Sequence, residues 1–415
     1  SKTSKQNSIA WILATGLVLS MLYHYWNEAS RGLGFPWNTF LFMPGARFTD
    51  FYDQIPALAS RNPYLGVPAV YFPFWFVLGL PLTWFNPDLG LKLFIAVFFI
   101  FWAPFAAYWL WNSERKLLSN IITVLIYVLC PLPVLFALDR GNSELLVFLL
   151  IGTWVIAEDF AQKAKMAGRK SVVFYQALAV VSLAAATAFK GYPGLYLLTY
   201  LPGRRIKEAA SVVVSAAALT FGSLLWLGGP ILSRIAKWRH DLEHYRFGYV
   251  IDQAGLAYNV SLLGFEKLFF GVVLGMAGAD DPKLMNIANR LVPWNTAITL
   301  IGLVLLAVWY WRAQPHHFKR WQLLLLPTIA FLTLSEVSAI YKMLHLLFPL
   351  LIYSASDEHD RKDPIYVALF GLALIPKDYG YLLMHPMYPA SIASLLDPLI
   401  LLALAWSVLM STRSK

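Results

Sequence analysis

The chain has 415 residues, of which 59% are hydrophobic, 16% aromatic and only 13% charged. Soluble domains carry about one quarter charged residues, and a soluble fold could not bury this much apolar surface. The mean hydropathy of +0.58 therefore excludes an ordinary soluble enzyme and indicates a protein surrounded by lipid. The net charge of +10 cannot be interpreted as evidence of nucleic-acid binding before the basic residues are placed relative to a membrane. The single cysteine, Cys130, excludes an intramolecular disulfide and a thiolate metal cluster.

Apolar runs long enough, or nearly long enough, to cross a bilayer recur along the chain, and we count about twelve of them. The longer runs lie at about 8–26, 91–112, 119–137, 142–158, 172–189, 209–228, 295–313, 321–337 and 391–411, and the shorter ones at 192–201, 342–354 and 364–376. The sequence predicts an all-α integral membrane protein, one polytopic domain over 1–415 with about 12 transmembrane helices. Two long outer loops, 27–90 and 229–294, should carry juxtamembrane helices, at 36–85 and 229–290.

The placement of Lys and Arg favours a cytoplasmic N-terminus. In that orientation the basic loops all fall inside, namely 113–118, 159–171, 202–208, 314–320 and 356–363. The short loops outside offer only Arg140, Lys190, Lys342 and Lys377. The apolar stretch 68–85 is interpreted as a re-entrant or juxtamembrane helix, because counting it as a span would invert every later loop. Its two internal prolines, Pro73 and Pro81, are typical of a broken helix.

Ionisable residues at one face of a membrane protein are costly unless they pair or serve a site. Five such clusters fall on the predicted outer face: Arg47–Asp53, Asp139–Glu144, Phe189–Pro193, the stretch 234–261 and Glu336–His345. No Walker A, dinucleotide-binding or Cys-x-x-Cys motif occurs, so no recognised nucleotide or thiol redox site is present. The chemistry of this chain is therefore sought in the outer clusters.

The first cluster contains two carboxylates. Thr49 or Asp50 could cap the N-terminus of a helix that begins there. Alternatively, Asp50 lies just beyond the first span and could accept a proton from a substrate hydroxyl. Asp53, three residues later, could share its helical face, or could face solvent or Arg61.

The next two clusters supply cations. Arg140 could pair with its neighbour Asp139, and Asn142 could cap the following helix, whose N-terminus would suit an anion. Lys190 ends an apolar span, so it could either extend to the outer surface or point into a cavity toward a phosphate.

The last two clusters allow more than one interpretation. Helical spacing would put Tyr341 and His345 on one face, where a phosphate-bearing lipid could meet them, while Lys342 could pair with Glu336. The segment 234–261 contains His240, Glu243 and His244, but their order is not that of a zinc protease, and an amphipathic interfacial helix is favoured.

Several of these motifs resemble one known family. The segments FTDFYDQIPALASRNPY and VYFPFWFVLGLPL resemble the first outer loop of GT-C fold glycosyltransferases, and more narrowly of glycosyltransferase family 87. DRGNSELLVFLL, FKGYPGLYLLTYLPGRRIK and YNVSLLG resemble later motifs of that family, in the same order. The resemblance covers about 47–264 and extends more faintly to residue 345.

The resemblance implies a GT-C type helical bundle that moves a sugar, mannose first, from a polyprenyl-phosphate donor to a lipid or glycan hydroxyl on the outer face, with inversion. Asp50 would be the general base. No metal or other cofactor is implied, and the partners would be the two substrates and membrane lipids, with no nucleic acid. The donor phosphate would meet Lys190, Lys342, His345 and Arg140. The substrates would also contact Asp53, Tyr64, Asn142, Tyr192, Asn259 and Tyr341.

Two other classes stay open. A transporter or flippase of lipid-linked sugars would also have many spans and buried charges, although transporters usually place those charges near the bilayer midplane. A polymerase or ligase that uses a diphosphate-linked donor could employ Arg239, His240, His244 and Arg246, and it would not need Asp50. The concentration of charge at one face favours the transferase.

Overall fold

The computed structural model describes residues 2–31, 47–64, 70–252, 254–275, 281–313, 318–356, 362–377, 379–383 and 390–413. Almost all of these residues are helical. Within the described part of the chain the only sheet is an antiparallel pair, β1 (Tyr381–Leu383) and β2 (Ala390–Ser391). The predicted all-α class is confirmed. The predicted interfacial segments 36–46 and 65–69 lie outside the described residues.

The α-helices, in chain order, are α1 Lys2–Arg31, α2 Thr49–Tyr52, α3 Ile55–Ala59, α4 Pro73–Leu78, α5 Pro87–Leu110, α6 Leu117–Leu129, α7 Leu132–Arg140, α8 Glu144–Met166, α9 Val172–Lys190, α10 Ile206–Trp226, α11 Ile231–Arg246, α12 Leu262–Leu268, α13 Asp281–Arg312, α14 Arg320–Thr333, α15 Leu347–Ala355, α16 Asp363–Leu374 and α17 Ala393–Arg413. Between them lie 3-10 helices at Leu80–Trp84, Tyr192–Tyr200, Ala254–Leu256 and Ile340–Leu346, and π-helical turns at Phe247–Ile251 and Phe269–Val273.

Among the described helices, 6 are long and apolar enough to cross a membrane, and the bent pair α6 and α7 would make a seventh. They lie at Ser8–Asn27, Pro87–Leu110, Val172–Lys190, Ile206–Trp226, Lys283–Arg312 and Ala393–Ser411. Each overlaps a predicted run, so the chain is an integral membrane protein. The span Lys283–Arg312 begins within the predicted outer loop 229–294, before the run at 295–313. Shorter apolar helices lie at Pro73–Trp84, Ile340–Ala355 and Asp363–Leu374. The count of about twelve crossings stays a prediction.

The chain forms two compact units. The first comprises the described residues of Ser1–Pro44, Ala106–Phe136 and His244–Lys415, and the second those of Gly45–Phe105 and Ala137–Glu243. Their division leaves the predicted single domain over 1–415 as a prediction.

In the second unit, α8 packs along α9, and α9 packs against α10. The 3-10 helix Tyr192–Tyr200 follows α8 closely, because Tyr192 bonds to Glu144 at the start of α8 and the Tyr200 hydroxyl donates to Glu158 Oε1 at 3.0 Å. A 3-10 helix rises about 2.0 Å per residue, so these nine residues extend further than an α-helix would, about 18 Å against 13 Å.

The predicted break in the apolar stretch 68–85 is confirmed over Pro73–Trp84, while its re-entrant or juxtamembrane position stays a prediction. Pro73 starts α4 and Pro81 lies in the first turn of the following 3-10 helix, positions where a missing N–H is harmless. The two pieces meet at Gly79, where an added Cβ would lie 2.7 Å from Leu58 Cδ2. α4 contacts both α9 and α10, and the Trp75 ring stacks on Phe189 with centroids 4.7 Å apart.

In the first unit, buried polar side chains join segments that are distant in the sequence. Asn259 accepts the backbone N–H of Ser338 at 3.2 Å, beside a β-bridge to Ala339. Lys267 is buried, and its ammonium donates to the carbonyls of Val250, Ile251 and Asp252 at 2.9, 3.3 and 2.8 Å. Burial lowers the pKa of Lys267 to about 8, which still leaves it protonated at neutral pH with all three donors available.

We expect Lys267→Met to lower the stability of the protein by about 2–4 kcal/mol, because three buried carbonyls would lose their charged donor. The measurement is the unfolding midpoint of the detergent-purified protein. Lys207→Met, which removes an exposed lysine, is the control and should leave the midpoint unchanged. Equal midpoints for the two variants would contradict this role of Lys267.

Candidate functional site

Asp50 lies in the short helix α2 of the second unit, which is fastened to the end of α7. Phe48, just before α2, has a left-handed backbone with φ of 56° and donates its N–H to the Asp139 carbonyl at 2.7 Å. Phe48 is the N-cap residue and makes no side-chain cap bond. The interpretation of Thr49 or Asp50 as an N-cap is therefore wrong.

The Asp50 carboxylate is held from both sides by the loop after α7. Arg140 forms an ion pair with Oδ1, and Asn142 donates its Nδ2–H to Oδ2 at 2.6 Å. Gln54 Nε2 donates to the Asp50 carbonyl at 2.6 Å and to the Tyr71 hydroxyl at 2.9 Å. Both carboxylate oxygens of Asp50 are thus oriented, and each retains a lone pair for a further hydrogen-bond donor.

Gly141 allows α2 to lie close to the loop after α7. Its φ of +61° favours glycine, and an added Cβ would lie 2.8 Å from Phe51 Cβ in α2. A side chain here would push α2 away from the loop that holds Asp50.

A second ion pair adjoins the first. Lys190, at the end of α9, donates to Glu144 Oε2 at 2.8 Å and lies 3.5 Å from Asn142 Oδ1. Tyr192 donates its hydroxyl hydrogen to Glu144 Oε1, and the Lys190 ammonium lies 5.7 Å from the centre of the Tyr71 ring. Of the two predicted positions for Lys190, the surface and the interior, the structure gives the interior.

Asn142 links the two pairs, because its amide nitrogen serves Asp50 and its amide oxygen faces Lys190. The linked side chains carry two positive and two negative charges, so the network is neutral as a whole. Of the four side chains in the two ion pairs and the Asn142 that links them, sequence reasoning identified all as site residues except Glu144. An acidic residue in the first turn of a helix whose first half is otherwise apolar was the available signal.

A small recess opens beside Asp50, with room for about one water-sized group. Its walls are mostly apolar. The lining residues are Asp50, Phe51, Gln54, Leu58, Trp75, Leu82, Phe94, Gly141 and Ser143.

Two predicted substrate residues of the second unit lie apart from this network. Asp53 is exposed at the end of α2. Tyr64 is fully buried against Phe76 and Trp238, and its hydroxyl donates to the Tyr71 carbonyl at 2.7 Å. Burial raises the pKa of Tyr64, so it stays a neutral structural donor.

In the first unit, the expected shared face of Tyr341 and His345 is wrong. These residues belong to a 3-10 helix, which has 3.0 residues per turn, so positions i and i+4 diverge. The Tyr341 ring packs on Phe136 with centroids 6.0 Å apart. His345 is fully buried, and its ring lies 5.5 Å from that of Phe331.

Lys342 and Asn259 bond to backbone groups within the first unit. Lys342 donates to the Val337 carbonyl at 3.3 Å, whereas Glu336 pairs with Arg246 at 2.8 Å, so the expected Lys342–Glu336 pair is wrong. Asn259 donates to the Gly255 carbonyl at 2.5 Å, and its Oδ1 accepts the N–H of Ser261 at 2.8 Å. Both side chains thus serve backbone groups.

The histidines of α11 do not belong to a metal site among the described residues. His240 and His244 are exposed, and Glu243 pairs with Arg239 at 2.9 Å. Over the described residues, no group of three or more His, Cys, Asp or Glu side chains is arranged to hold a metal ion. The buried residues of α11 are Arg234 and Asp241, and its position at the membrane interface stays a prediction.

Comparison with known proteins identifies the family. The model of glycosyltransferase family 87 matches residues 69–335, well over half of the chain. The protein belongs to glycosyltransferase family 87. No curated protein matches this family 87 member.

Membership of family 87 confirms the resemblance and makes the protein a membrane glycosyltransferase. The matched region contains Arg140, Asn142, Lys190 and Glu144, whereas Asp50 precedes it. The place of Asp50 in the site therefore rests on its contacts with Arg140 and Asn142.

We expect Gly141→Ala to destabilise this family 87 protein more than Gly168→Ala does. Both glycines have a positive φ, but nothing lies within 4 Å of a Cβ at Gly168. Gly168→Ala should cost about 1–2 kcal/mol for backbone strain alone. Gly141→Ala should cost about 1–3 kcal/mol more, from the collision with Phe51. Unfolding midpoints of the two variants provide the comparison, and equal losses would show that α2 does not depend on this contact.

Proposed function

We propose that the protein transfers a sugar, mannose first, from a polyprenyl-phosphate donor to a hydroxyl of a lipid or glycan acceptor, with Asp50 as the general base. The observation that carries the proposal is the Asp50 carboxylate, fixed by Arg140 and Asn142 beside a recess in a family 87 chain. The sidedness of the basic loops supports an active site at the outer or periplasmic face of the membrane.

The contacts of Asp50 suit proton transfer. The Asp50 carboxylate can accept a proton, and Arg140 and Asn142 hold its two oxygens in place. Because both oxygens are already oriented by protein donors, little reorganisation is needed when an acceptor hydroxyl approaches.

The transfer is a single displacement. The acceptor oxygen attacks the anomeric carbon and the hydroxyl proton passes to Asp50, while the bond between the anomeric carbon and the phosphate oxygen breaks. Its electron pair leaves with the polyprenyl phosphate, and the configuration inverts. The donor is a phosphodiester with one negative charge and the product a monoester that can carry two, so negative charge develops as the sugar leaves.

Arg140 and Lys190 are the cations that we assign to this developing charge, since both lie in the network that contains Asp50. Each already has a carboxylate partner, and a phosphate would compete for it. Because these side chains can stabilise the leaving group, we expect no metal requirement. His345 is not assigned this role, because it is fully buried among aromatic rings.

We expect Asp50→Asn to lower transfer about 10²–10⁴-fold, because asparagine keeps the shape but cannot accept the proton. Purified protein is assayed with radiolabelled polyprenyl-phosphate mannose and membrane lipid extract, in the presence of a chelator.

Asp53→Asn is the matched control, since Asp53 is an exposed carboxylate three residues away. It should retain wild-type transfer. Full activity of a well-folded Asp50→Asn protein would remove Asp50 as the base. Absence of wild-type transfer from every donor, together with lipid-stimulated transport in vesicles, would favour the transporter.

We expect Arg140→Gln and Lys190→Gln each to raise the KM for the donor about tenfold or more, because each removes a charged contact to the phosphate. The KM for the acceptor should change less. Arg239→Gln, at an exposed ion pair on α11, is the control. A donor KM that responds to Arg239 but not to Arg140 or Lys190 would move the phosphate site to α11.

A further inference from the structure

Three buried polar atoms, on residues that line the recess beside Asp50, have no hydrogen-bond partner within the described part of the chain. They are Gln54 Oε1, Trp75 Nε1 and Ser143 Oγ. Trp75 and Ser143 are each 2% exposed. Buried polar groups are nearly always bonded, so three orphans around one small recess indicate a group that binds there.

The chemistry of the three atoms defines that group. The Trp75 indole N–H can only donate, the Gln54 amide oxygen can only accept, and the Ser143 hydroxyl can do both. A hydroxyl group suits this site, because its oxygen can accept from Trp75 and Ser143 while its one hydrogen faces the Asp50 carboxylate. The recess has room for about one such group.

The remaining walls argue against a phosphate. Phe51, Leu58, Leu82 and Phe94 are apolar, and no lysine or arginine is among the lining residues that the structure describes. Asp50 is the only charged group in the lining, and its negative charge would repel an anion. A neutral hydroxyl next to a carboxylate is the favoured occupant.

We infer that the recess binds the hydroxyl group of the acceptor, whose oxygen accepts hydrogen bonds from the Trp75 indole N–H and the Ser143 hydroxyl and whose one hydrogen passes to Asp50. Gln54 Oε1 then accepts from a second donor of the acceptor. This inference rests on the proposed function and extends it, because it assigns acceptor recognition to residues other than the proposed phosphate cations Arg140 and Lys190. Acceptor selection then depends on a bonded hydroxyl rather than on a charged group.

The sharpest test is Ser143→Ala. Because Ser143 Oγ has no partner among the residues that the structure describes, its removal should leave the unfolding midpoint unchanged. If the hydroxyl serves the acceptor, the half-saturating concentration of membrane lipid extract should rise about fivefold. The KM for polyprenyl-phosphate mannose should stay at the wild-type value.

Trp75→Phe is a second test of the acceptor site, and the chain offers a matched control for it. Phenylalanine keeps an aromatic ring against Phe189 and removes the indole N–H. Trp321 is equally buried, its indole N–H likewise has no partner in the described residues, and it lies among Tyr353, Tyr366 and Phe370 of the first unit. Trp75→Phe and Trp321→Phe should therefore lose similar stability, and only Trp75→Phe should weaken acceptor use.

The outcomes separate this inference from the proposed function. Wild-type transfer that depends on Asp50, with unchanged half-saturation by the lipid extract in both Ser143→Ala and Trp75→Phe, would overturn the acceptor site and indicate that water occupies the recess. A rise in donor KM instead would also overturn it. Absence of Asp50-dependent transfer in the wild type would refute the proposed function itself.

Discussion

Charged side chains in a largely apolar chain must find partners within the protein, and this constraint governs the structure. Water is scarce around most of these helices, so an unpaired charge would be costly. The structure contains ion pairs that join segments distant in the sequence. Buried or half-buried examples are Asp50–Arg140, Glu144–Lys190, Glu158–Arg205 and Lys377–Asp397. Each pair neutralises two charges and fastens two helices or loops together.

The candidate site is a product of the same constraint. The Asp50–Arg140 pair ties α2 to the end of α7, and the Glu144–Lys190 pair ties α8 to α9, with Asn142 between them. The contacts that neutralise the charges therefore also fix the carboxylate that we propose as the base. A phosphate substrate would enter a network that is neutral as a whole, and would have to compete with carboxylates for its cations. This competition distinguishes the site from an open cluster of positive charge.

Two predictions from the sequence were wrong for different reasons. One failed because of the helix type, and the other because of an ion pair between distant residues. Helical spacing suggested one face for Tyr341 and His345, but the residues form a 3-10 helix and their side chains diverge. Proximity in sequence suggested a Lys342–Glu336 pair, yet Glu336 pairs with Arg246, 90 residues away. The broken helix around Gly79 was predicted correctly, because the two prolines that break it act on their own backbone.

The sequence by itself determined the membrane class, the positions of the long helices and the order of the polar clusters, because hydropathy and proline are local properties of the chain. It also contained segments that resemble family 87, and the family match over residues 69–335 confirms that membership. Tertiary structure alone decided which clusters meet: Asp50 with Arg140 across 90 residues, and Lys190 with Glu144 across 46. It also created the recess with its unpartnered polar atoms. Pairing across such distances depends on how helices pack, and no local pattern encodes it.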